Sequence, residues 1–504
     1  MSYSILSSGW KKTAIYLLLI CLHFFFFEIS VAQKRNNVWT FGNFTGLNFN
    51  TNPVTPFHSK AAVGKLPFYM TSICDKDGNL MFYTDGRTFW NRDNKVIPKY
   101  KDYWPWSADV MPLIAPYVNK DSFYYIFGVE TAPDDGSTRN PHKLIYFTTR
   151  MDNAGDIGEV VYPRPSNNLF ATTLLTNASS VIAGTGHCNQ VDTWIIGYSP
   201  GAFSAFLITE KGVSPNPVVT NIPANLLLLE QLNVGLGNFK MSANGDRLAF
   251  PNNNNNTIIV YDFDNSTGIF SNPQVYPIDE LETIEDVELS ADGNKLFYGS
   301  WEPAEEGDIT LHYLYQLDLT GSSPFDILKS KYRINHGGNR AVCIRSCYRI
   351  YRTMQLAPDG RIYISRRDGD FGLDRNIDVI NEPSKYGMDM EYYDSKVNLK
   401  QSPKVISYNY IRSSSFTPRE NSIQFKKNAC ADQPVEFSSI YNRLDSIRWD
   451  FGDPSSSAEN FSAIPKPSHK YPSPGTYLVK AIISNRCLKD TAMVQVVIEP
   501  NIAV

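Results

Sequence analysis

The chain has 504 residues, a formal net charge of −4, 19% charged residues and 13% aromatic residues. This near-neutral balance argues against nucleic acid or an anionic lipid surface as a partner, because both favour a strongly basic face. The many aromatic, glycine and proline residues fit an all-β protein of short strands joined by turns.

The N-terminal residues have the pattern of a secretory signal peptide. Lys11 and Lys12 precede an uncharged apolar run, 14–27, and a small-x-small cleavage site follows at 30–32. The apolar run is shorter than the roughly 20 residues that a membrane span needs. We therefore predict cleavage after Ala32 and a mature chain without a transmembrane span, exported to the periplasm, the cell surface or the medium.

Four segments of the next four hundred residues share one hairpin motif, in which Asp-Gly or Asn-Gly lies between alternating apolar residues. These dipeptides supply the positive φ angles of a two-residue β-turn. The segments are SICDKDGNLMFYTDG (72–86), FKMSANGDRLAF (239–250), VELSADGNKLFY (287–298) and MQLAPDGRIYIS (354–365). Strand-like runs fill the intervals between them. Four-stranded repeats of about 45–60 residues are the signature of β-propeller blades, so we predict about seven blades, with a tandem of long β-sandwiches as the alternative.

The composition changes after the propeller-like region, where SSSFTPREN (413–421) indicates a linker. Five or more short strands in the last 80 or so residues suggest a small sandwich of immunoglobulin type. Two phrases within it, WDFGD (449–453) and HKYPSPGTYLV (469–479), resemble the PKD (polycystic kidney disease) domain. The resemblance covers about 425–500. It implies a binding or spacer module with no catalytic residue, and a disulfide between Cys430 and Cys487, which flank the domain.

The upstream region is similar to the propeller-like N-terminal part of large exported Bacteroidetes proteins of the gliding-motility-associated type, which carry PKD domains. The segments that carry this resemblance are VWTFGNFTGLNFN (38–50), SICDKDGNLMFYTDGRTFWNRDNKVIP (72–98), GHCNQVDTWIIGY (186–198) and MQLAPDGRIYIS (354–365). Such proteins usually carry a further gliding-motility-associated C-terminal domain, and we do not expect the residues up to Val504 to include one.

The residue patterns and the two resemblances together divide the chain into four parts. The predicted parts are a signal peptide (1–32), a β-propeller (33–415), a linker (416–424) and a PKD domain (425–504).

One hairpin has the composition of a ligand pocket. The segment TDGRTFWNRD (84–93) brings Asp85, Arg87, Trp90 and Asn91 close together, and such a mixture can bind a sugar or a peptide. The alternative is an ordinary blade hairpin in which Trp90 belongs to the core.

A second segment, DGDFGLD (368–374), offers oxygen ligands for a structural calcium ion from Asp368, Asp370 and Asp374. Its spacing is not that of an EF-hand, so a solvated loop is the alternative. We predict no other cofactor.

No pattern in the sequence identifies a catalytic site. There is no G-x-S-x-G, no P-loop and no dinucleotide fingerprint. We predict a non-catalytic binding protein of the cell envelope or the extracellular medium. The propeller would recognise a protein or a glycan, and the PKD domain would serve as spacer or adhesion module. The alternatives are a polysaccharide-active hydrolase or lyase with a site on the propeller face, and a scaffold of an envelope assembly.

Overall fold

A computed structural model of the chain describes most residues after the predicted signal peptide. The described residues are 34–42, 44–59, 70–86, 88–97, 112–130, 142–151, 159–160, 171–223, 226, 239–252, 255–279, 282–303, 310–334, 349–368, 373–399, 410–411, 423–425, 429–439, 446–485 and 488–500. The signal-peptide prediction lies outside them. Among these residues, no helix is long and apolar enough to cross a bilayer.

Within the described residues, seven successive antiparallel sheets of three to five strands each form the first part of the chain. The strands of sheets one and two are β1 (Val38–Gly42), β2 (Thr45–Asn48), β3 (Thr55–Phe57), β4 (Thr71–Cys74), β5 (Leu80–Thr84) and β6 (Phe89–Asn91). The strands of sheets three and four are β7 (Leu113–Tyr117), β8 (Lys120–Glu130), β9 (His142–Arg150), β10 (Glu159–Val160), β11 (Thr172–Ala178), β12 (Ile182–Gly186), β13 (Thr193–Ser199), β14 (Ala202–Thr209), β15 (Gly212–Val213) and β16 (Val218–Asn221).

Sheets five to seven have four strands each. Their strands are β17 (Lys240–Met241), β18 (Arg247–Asn252), β19 (Thr257–Asp264), β20 (Ile269–Pro277), β21 (Thr283–Leu289), β22 (Lys295–Pro303), β23 (Thr310–Asp318), β24 (Tyr332–Arg333), β25 (Arg349–Leu356), β26 (Ile362–Asp368), β27 (Leu373–Ile380) and β28 (Tyr392–Asn398). A short helix, α1 (Pro324–Lys329), lies between β23 and β24, and a 3₁₀ turn (Gly387–Met390) lies between β27 and β28.

The seven sheets close into a ring. Each sheet contacts the next through its first strand, which in sheets two to seven therefore lies nearest the axis. The last sheet packs against the first, because Trp39 and Phe41 of β1 share one apolar cluster with Tyr363 and Val379. Consecutive sheets that surround an axis and close on the first are the blades of a β-propeller. The prediction of about seven blades is confirmed.

The repeated hairpins of the sequence join the first strand to the second in four of the blades. Gly78, Gly245, Gly293 and Gly360 occupy these turns with φ angles of 93°, 69°, 68° and 78°. Such angles are costly for residues with a side chain, which explains why the motif ends in glycine.

The C-terminal part is a sandwich of two sheets, ordered β29-β31-β34 and β30-β36-β35-β32-β33. Its strands are β29 (Ile423–Phe425), β30 (Ala429–Cys430), β31 (Pro434–Ser439), β32 (Ser446–Asp450), β33 (Phe461–Ser462), β34 (Ser468–Lys470), β35 (Gly475–Asn485) and β36 (Leu488–Glu499). A kinked 3₁₀ segment, Pro454–Asn460, precedes β33. The core between the sheets includes the fully buried Trp449 and Tyr471. The predicted immunoglobulin-like sandwich is thus confirmed.

The predicted Cys430–Cys487 disulfide is not present in this structure. Cys430 is a free cysteine, and it pairs with Glu499 at one end of the β35–β36 hairpin. Cys487 itself lies outside the described residues, but its neighbours Asn485 and Leu488 pair at the opposite end of that hairpin. Ten residues of strand separate the two ends by roughly 33 Å, whereas bonded cysteines need Cα atoms within about 7 Å.

Candidate functional site

One lysine and two carboxylates form a buried cluster at the inner edges of blades five to seven. We call Lys240 of β17 with Asp286 and Glu288 of β21 the axial cluster. Lys240 Nζ lies 3.6 Å from Asp286 Oδ2 and 3.8 Å from Glu288 Oε2, and these side chains are 3%, 0% and 0% exposed. Lys240 Nζ also donates to Met354 O at 2.7 Å and to Gln355 Oε1 at 3.2 Å. Lys240 of the fifth blade therefore also contacts the innermost strand of the seventh blade.

The two carboxylates bind the innermost strand of the seventh blade. Asp286 Oδ2 accepts a hydrogen bond from Met354 N at 2.8 Å, and Glu288 Oε2 accepts one from Leu356 N at 2.9 Å. Residues two apart on a strand point to the same side, so β21 presents both carboxylates to β25 together. Their partners are backbone groups on the edge of a strand, which otherwise need another strand or water. The axial cluster is thus a clamp that joins three blades.

The charges within the axial cluster do not cancel. One ammonium group faces two carboxylates, and Asp286 Oδ1 has no hydrogen-bond partner. Burial raises the pKa of Asp286 to about 6, against the opposing effects of Lys240 and the Met354 N–H, while Glu288 adds to the rise. Asp286 can therefore take up a proton at mildly acidic pH, near 6.

The axial cluster was missed by sequence reasoning, although a signal was present. The same position of the repeated hairpin motif holds Lys240, Glu288 and Gln355. Each is the second residue of its segment (239–250, 287–298 and 354–365). Neighbouring positions of the motif are apolar. Three polar residues at one position of a buried inner strand must meet one another when the blades close into a ring.

The predicted pocket segment, 84–93, supplies turns and core. Asp85 Oδ1 accepts a hydrogen bond from Thr88 N at 2.6 Å, which closes the turn after β5. The Trp90 ring is buried and stacks on Tyr83 at a centroid distance of 5.3 Å. These two side chains serve the hairpin itself, as the alternative interpretation of this segment proposes.

Of the other two predicted pocket residues, Asn91 belongs to the same short strand as Trp90 and the structure does not describe Arg87. Asn91 Oδ1 accepts hydrogen bonds from Asp93 N and Lys95 N, at 3.0 and 2.9 Å, and so orders the following turn. Arg87 lies outside the described residues. A ligand site on this segment stays a prediction.

The calcium prediction also stays a prediction. Asp368 ends β26 and Asp374 lies near the start of β27, but their side chains and the whole of Asp370 lie outside the description. Within the part of the chain that the structure describes, no three His, Cys, Asp or Glu side chains are arranged to hold a metal ion.

In the sandwich, Asp453 and His469 form a buried pair. His469 Nε2 lies 3.1 Å from Asp453 Oδ2, and the imidazole stacks on Phe451 at 4.4 Å. Burial by itself raises the pKa of Asp453, but hydrogen bonds from the Ser455 hydroxyl and from His469 outweigh it and hold that pKa below its ordinary value. Asp453 is thus an ionised carboxylate that ties the turn after β32 to β34.

The outer face of the larger sandwich sheet carries an exposed apolar row. Leu478 and Ile482 of β35 and Met493 and Val497 of β36 are 43–58% exposed. The strand register places these side chains on alternating diagonals, so that they form one continuous strip. A contiguous apolar strip on a soluble domain is typical of a protein contact surface.

The sandwich can also be assigned by family. The model of the PKD domain matches residues 423–498. The C-terminal sandwich is a PKD domain. The match begins at the first residue of β29, two residues before the boundary predicted at 425. In the WDFGD phrase, Trp449 lies in the buried core of this domain. Asp453 lies in the hydrogen-bonded turn after β32.

The solved structures to which the chain shows some similarity include two lactonase-type proteins and one further protein. A putative 6-phosphogluconolactonase from Bacteroides uniformis is 13% identical, with a TM-score of 0.38, over 73% of this chain and 97% of that chain. The periplasmic gluconolactonase PpgL of Pseudomonas aeruginosa is 12% identical, with a TM-score of 0.37, over 91% and 98%. A protein from Lactobacillus plantarum is 12% identical, with a TM-score of 0.39, over 73% and 96%. Likeness at this level carries no argument about activity. No curated protein matches the chain in sequence.

Proposed function

We propose that this protein is an exported binding protein of the cell envelope or the extracellular medium. In this proposal the propeller recognises a protein or a glycan and the PKD domain acts as spacer or adhesion module. The gliding-motility-associated type of Bacteroidetes protein is the proposed wider family. The exposed apolar row of the PKD sheet supports a protein contact on that domain.

The observation that carries the proposal is how the axial carboxylates are used. A polysaccharide-cleaving propeller needs two carboxylates that face the substrate across several ångströms. Asp286 and Glu288 instead accept backbone N–H groups of the next blade and pair with Lys240, at 0% exposure. These acids hold the ring together, and the proposal assigns recognition to the loop faces.

One observation favours the hydrolase or lyase alternative. Asp286 has an unpartnered oxygen and a pKa raised to about 6, two properties of catalytic acids. This second candidate function requires the axis to open to a polysaccharide.

Glycan and protein arrays probed with the mature chain test the two candidates together. The binding proposal predicts retained ligand that is recovered intact, with affinity unchanged in Asp286→Asn. Release of shortened or unsaturated sugar by the wild type, and loss of that product in Asp286→Asn, would support the enzyme instead. Export is checked by N-terminal sequencing of the secreted protein, which should begin at Gln33.

A further inference from the structure

The turn after β32 contains the one Asp–Pro bond of the 504-residue sequence, between Asp453 and Pro454. Two chemical properties set such a bond apart from other peptide bonds. The aspartate carboxylate can close a five-membered ring on its own backbone carbonyl carbon. The proline nitrogen carries no hydrogen and, as part of a tertiary amide, accepts a proton more readily than the nitrogen of an ordinary peptide bond. The surroundings of this bond therefore decide whether it is stable.

The carbonyl oxygen of the bond receives two hydrogen bonds from one residue. Asp453 O accepts from the backbone N–H of Ser456 at 3.2 Å and from the Ser456 hydroxyl at 2.9 Å. Attack on the carbonyl carbon would place a negative charge on this oxygen. Preorganised donors that point at such an oxygen stabilise the charge and accelerate acyl transfer. Ser456 thus supplies both donors of an oxyanion hole.

The carboxylate of Asp453 lies beside a buried imidazole. Asp453 Oδ2 is 3.1 Å from His469 Nε2, and the two residues are 2% and 4% exposed. An ionised carboxylate only accepts hydrogen bonds, so Nε2 carries the hydrogen. Against the effect of burial, hydrogen bonds hold the pKa of Asp453 below its ordinary value, which keeps the carboxylate in its nucleophilic form. The turn therefore combines a nucleophile and a proton donor at one peptide bond.

The segment that follows the bond is strained and fixed at both ends. Ser457 has φ 52° and ψ −115°, a conformation that is costly for a residue with a side chain. Asn460 holds the segment in place, because its Oδ1 accepts from Asp453 N at 2.7 Å and its Nδ2 donates to Asp450 Oδ1 at 2.9 Å. Cleavage before Pro454 would give Ser457 freedom to relax while Asn460 stays bound.

We propose that the Asp453–Pro454 bond is a self-cleavage site. One oxygen of the Asp453 carboxylate attacks the carbonyl carbon of the same residue, and a cyclic anhydride forms. The C–N bond breaks as the Pro454 nitrogen takes a proton from the imidazolium form of His469. One water molecule then opens the anhydride to two carboxylates and releases two protons. One proton returns to His469, and the other charges the new Pro454 amine.

The two products should remain associated in the native protein. The first piece ends after β32, and the second piece contains β33 to β36. β32 pairs with β35 from Ser446 opposite Ser484 to Asp450 opposite Lys480, and β31 pairs with β34. Cleavage would thus leave a sandwich of two chains, with a new N-terminus at the exposed Pro454. This inference goes beyond the proposed function and does not depend on it.

Mass spectrometry under denaturing conditions tests the proposal in the full mature chain. The purified protein is held for days at pH 6, where free imidazole is mostly protonated. We expect a fragment that ends at Asp453 and a second that begins with PSSSAENF (454–461). The same chain unfolded in urea at this pH lacks the oxyanion donors and the imidazole. It should be cleaved at least about 100-fold more slowly.

Three variants of the folded chain separate the parts of the mechanism. Pro454→Ala changes an exposed residue and turns the leaving nitrogen into that of a secondary amide, so the chain should stay intact. Ser456→Ala removes one of the two oxyanion donors and should slow cleavage about 100-fold. His469→Gln keeps an N–H donor for Asp453 but has no acidic proton to give, so it should also stay intact. Circular dichroism shows which variants are folded.

The proposal is overturned by a mature chain that keeps its full mass, or by equal cleavage rates with and without urea. A wild-type rate in any folded member of the three variants overturns it as well. If His469→Gln does not fold, Pro454→Ala and Ser456→Ala still decide, because the exposed Pro454 makes no contact that the sandwich core needs.

Discussion

Asp286 Oδ2 accepts a hydrogen bond from the backbone N–H of Met354 at 2.8 Å. A side chain of blade six thus satisfies an edge N–H group of blade seven, which a neighbouring strand would otherwise bind. The other oxygen of the same carboxylate has no partner. Buried carboxylates satisfy a strand edge well, but an unpaired oxygen and an excess negative charge both lower stability. Asp286 therefore combines a stabilising hydrogen bond with a destabilising charge, and the two can be separated experimentally.

The substitution Asp286→Asn should stabilise the protein above pH 6. Its Oδ1 can accept the Met354 N–H while its Nδ2 takes the place of the unpartnered oxygen, and the cluster becomes neutral. The folded-state pKa of Asp286 is raised from 3.8 to about 6, so protonation favours the folded state. Below about pH 4 the carboxyl group is protonated in the folded and the unfolded state, so its burial as a charge costs no stability. The wild type loses this stability as the pH rises from about 4 through 6. A shift of about two pKa units corresponds to about 3 kcal/mol at pH 8.

Thermal unfolding from pH 4 to pH 8 measures this effect, and Glu288→Gln is the matched control. Glu288 Oε1 accepts from Leu289 N at 2.7 Å and Oε2 from Leu356 N at 2.9 Å, so both oxygens face donors. A glutamine amide would place an N–H group against one of them and lower the Tm at every pH. An Asp286→Asn variant with a lower Tm than the wild type at pH 8 would contradict the assigned excess charge.

Removing the cation of the axial cluster should have the opposite effect. Lys240→Met leaves Asp286 and Glu288 without a counter-charge and removes the donor to Met354 O. Breaking a buried ion pair by one partner typically costs about 3–5 kcal/mol. Urea unfolding of Lys240→Met, Asp286→Asn and the double variant forms a double-mutant cycle. We expect Asp286→Asn to recover part of the loss, and strict additivity would show that the two groups do not interact.

The propeller was predictable because its turns are local. Gly78, Gly245, Gly293 and Gly360 mark hairpins whose backbone geometry depends on two residues, and the repeat of that geometry implies the ring. The PKD domain was predictable for a related reason. Trp449 fills the sandwich core, and the residues around it are held by turn hydrogen bonds within a short stretch of chain.

The axial features were not predictable, because they depend on which blades meet. Lys240 and Met354 are separated by 114 residues, and Glu288 and Leu356 by 68. Hydrophobic periodicity reports which face of a strand is buried but not which polar group it meets there. The Cys430–Cys487 prediction was wrong in geometry for the same reason: both residues flank one domain, but the long β35–β36 hairpin holds its ends apart.

The cysteines allow a chemical test of that correction. Cys430 is free and partly exposed, so it should react with iodoacetamide in the native protein without prior reduction. Cys74 is fully buried, and burial raises the pKa of its thiol to about 12, so it should react only after unfolding. Mass spectrometry of peptides from native and urea-treated samples distinguishes the two. If Cys430 reacted with iodoacetamide only after treatment with a reductant, the predicted disulfide would be supported after all.

The tryptophan of WDFGD should carry much of the stability of the PKD domain. Trp449 is fully buried, packs with Phe437 and Phe451, and donates from Nε1 to Ile464 O at 3.0 Å. Trp449→Ala removes the largest side chain of this core and should cost about 3–5 kcal/mol. Trp449→Phe keeps most of the packing and loses only the hydrogen bond from Nε1 to Ile464 O. Because Ile464 is exposed to water, the loss of stability should be smaller than in Trp449→Ala.

Far-UV circular dichroism and limited proteolysis of the two Trp449 variants make the comparison. Trp449→Ala should expose cleavage sites after residue 423 at temperatures where the propeller remains resistant, because its packing partners all belong to the sandwich. Trp449→Phe should be cleaved at a rate closer to that of the wild type. Equal losses in both variants would assign the stability to the indole hydrogen bond, whereas no loss in Trp449→Ala would contradict the placement of this residue in the core.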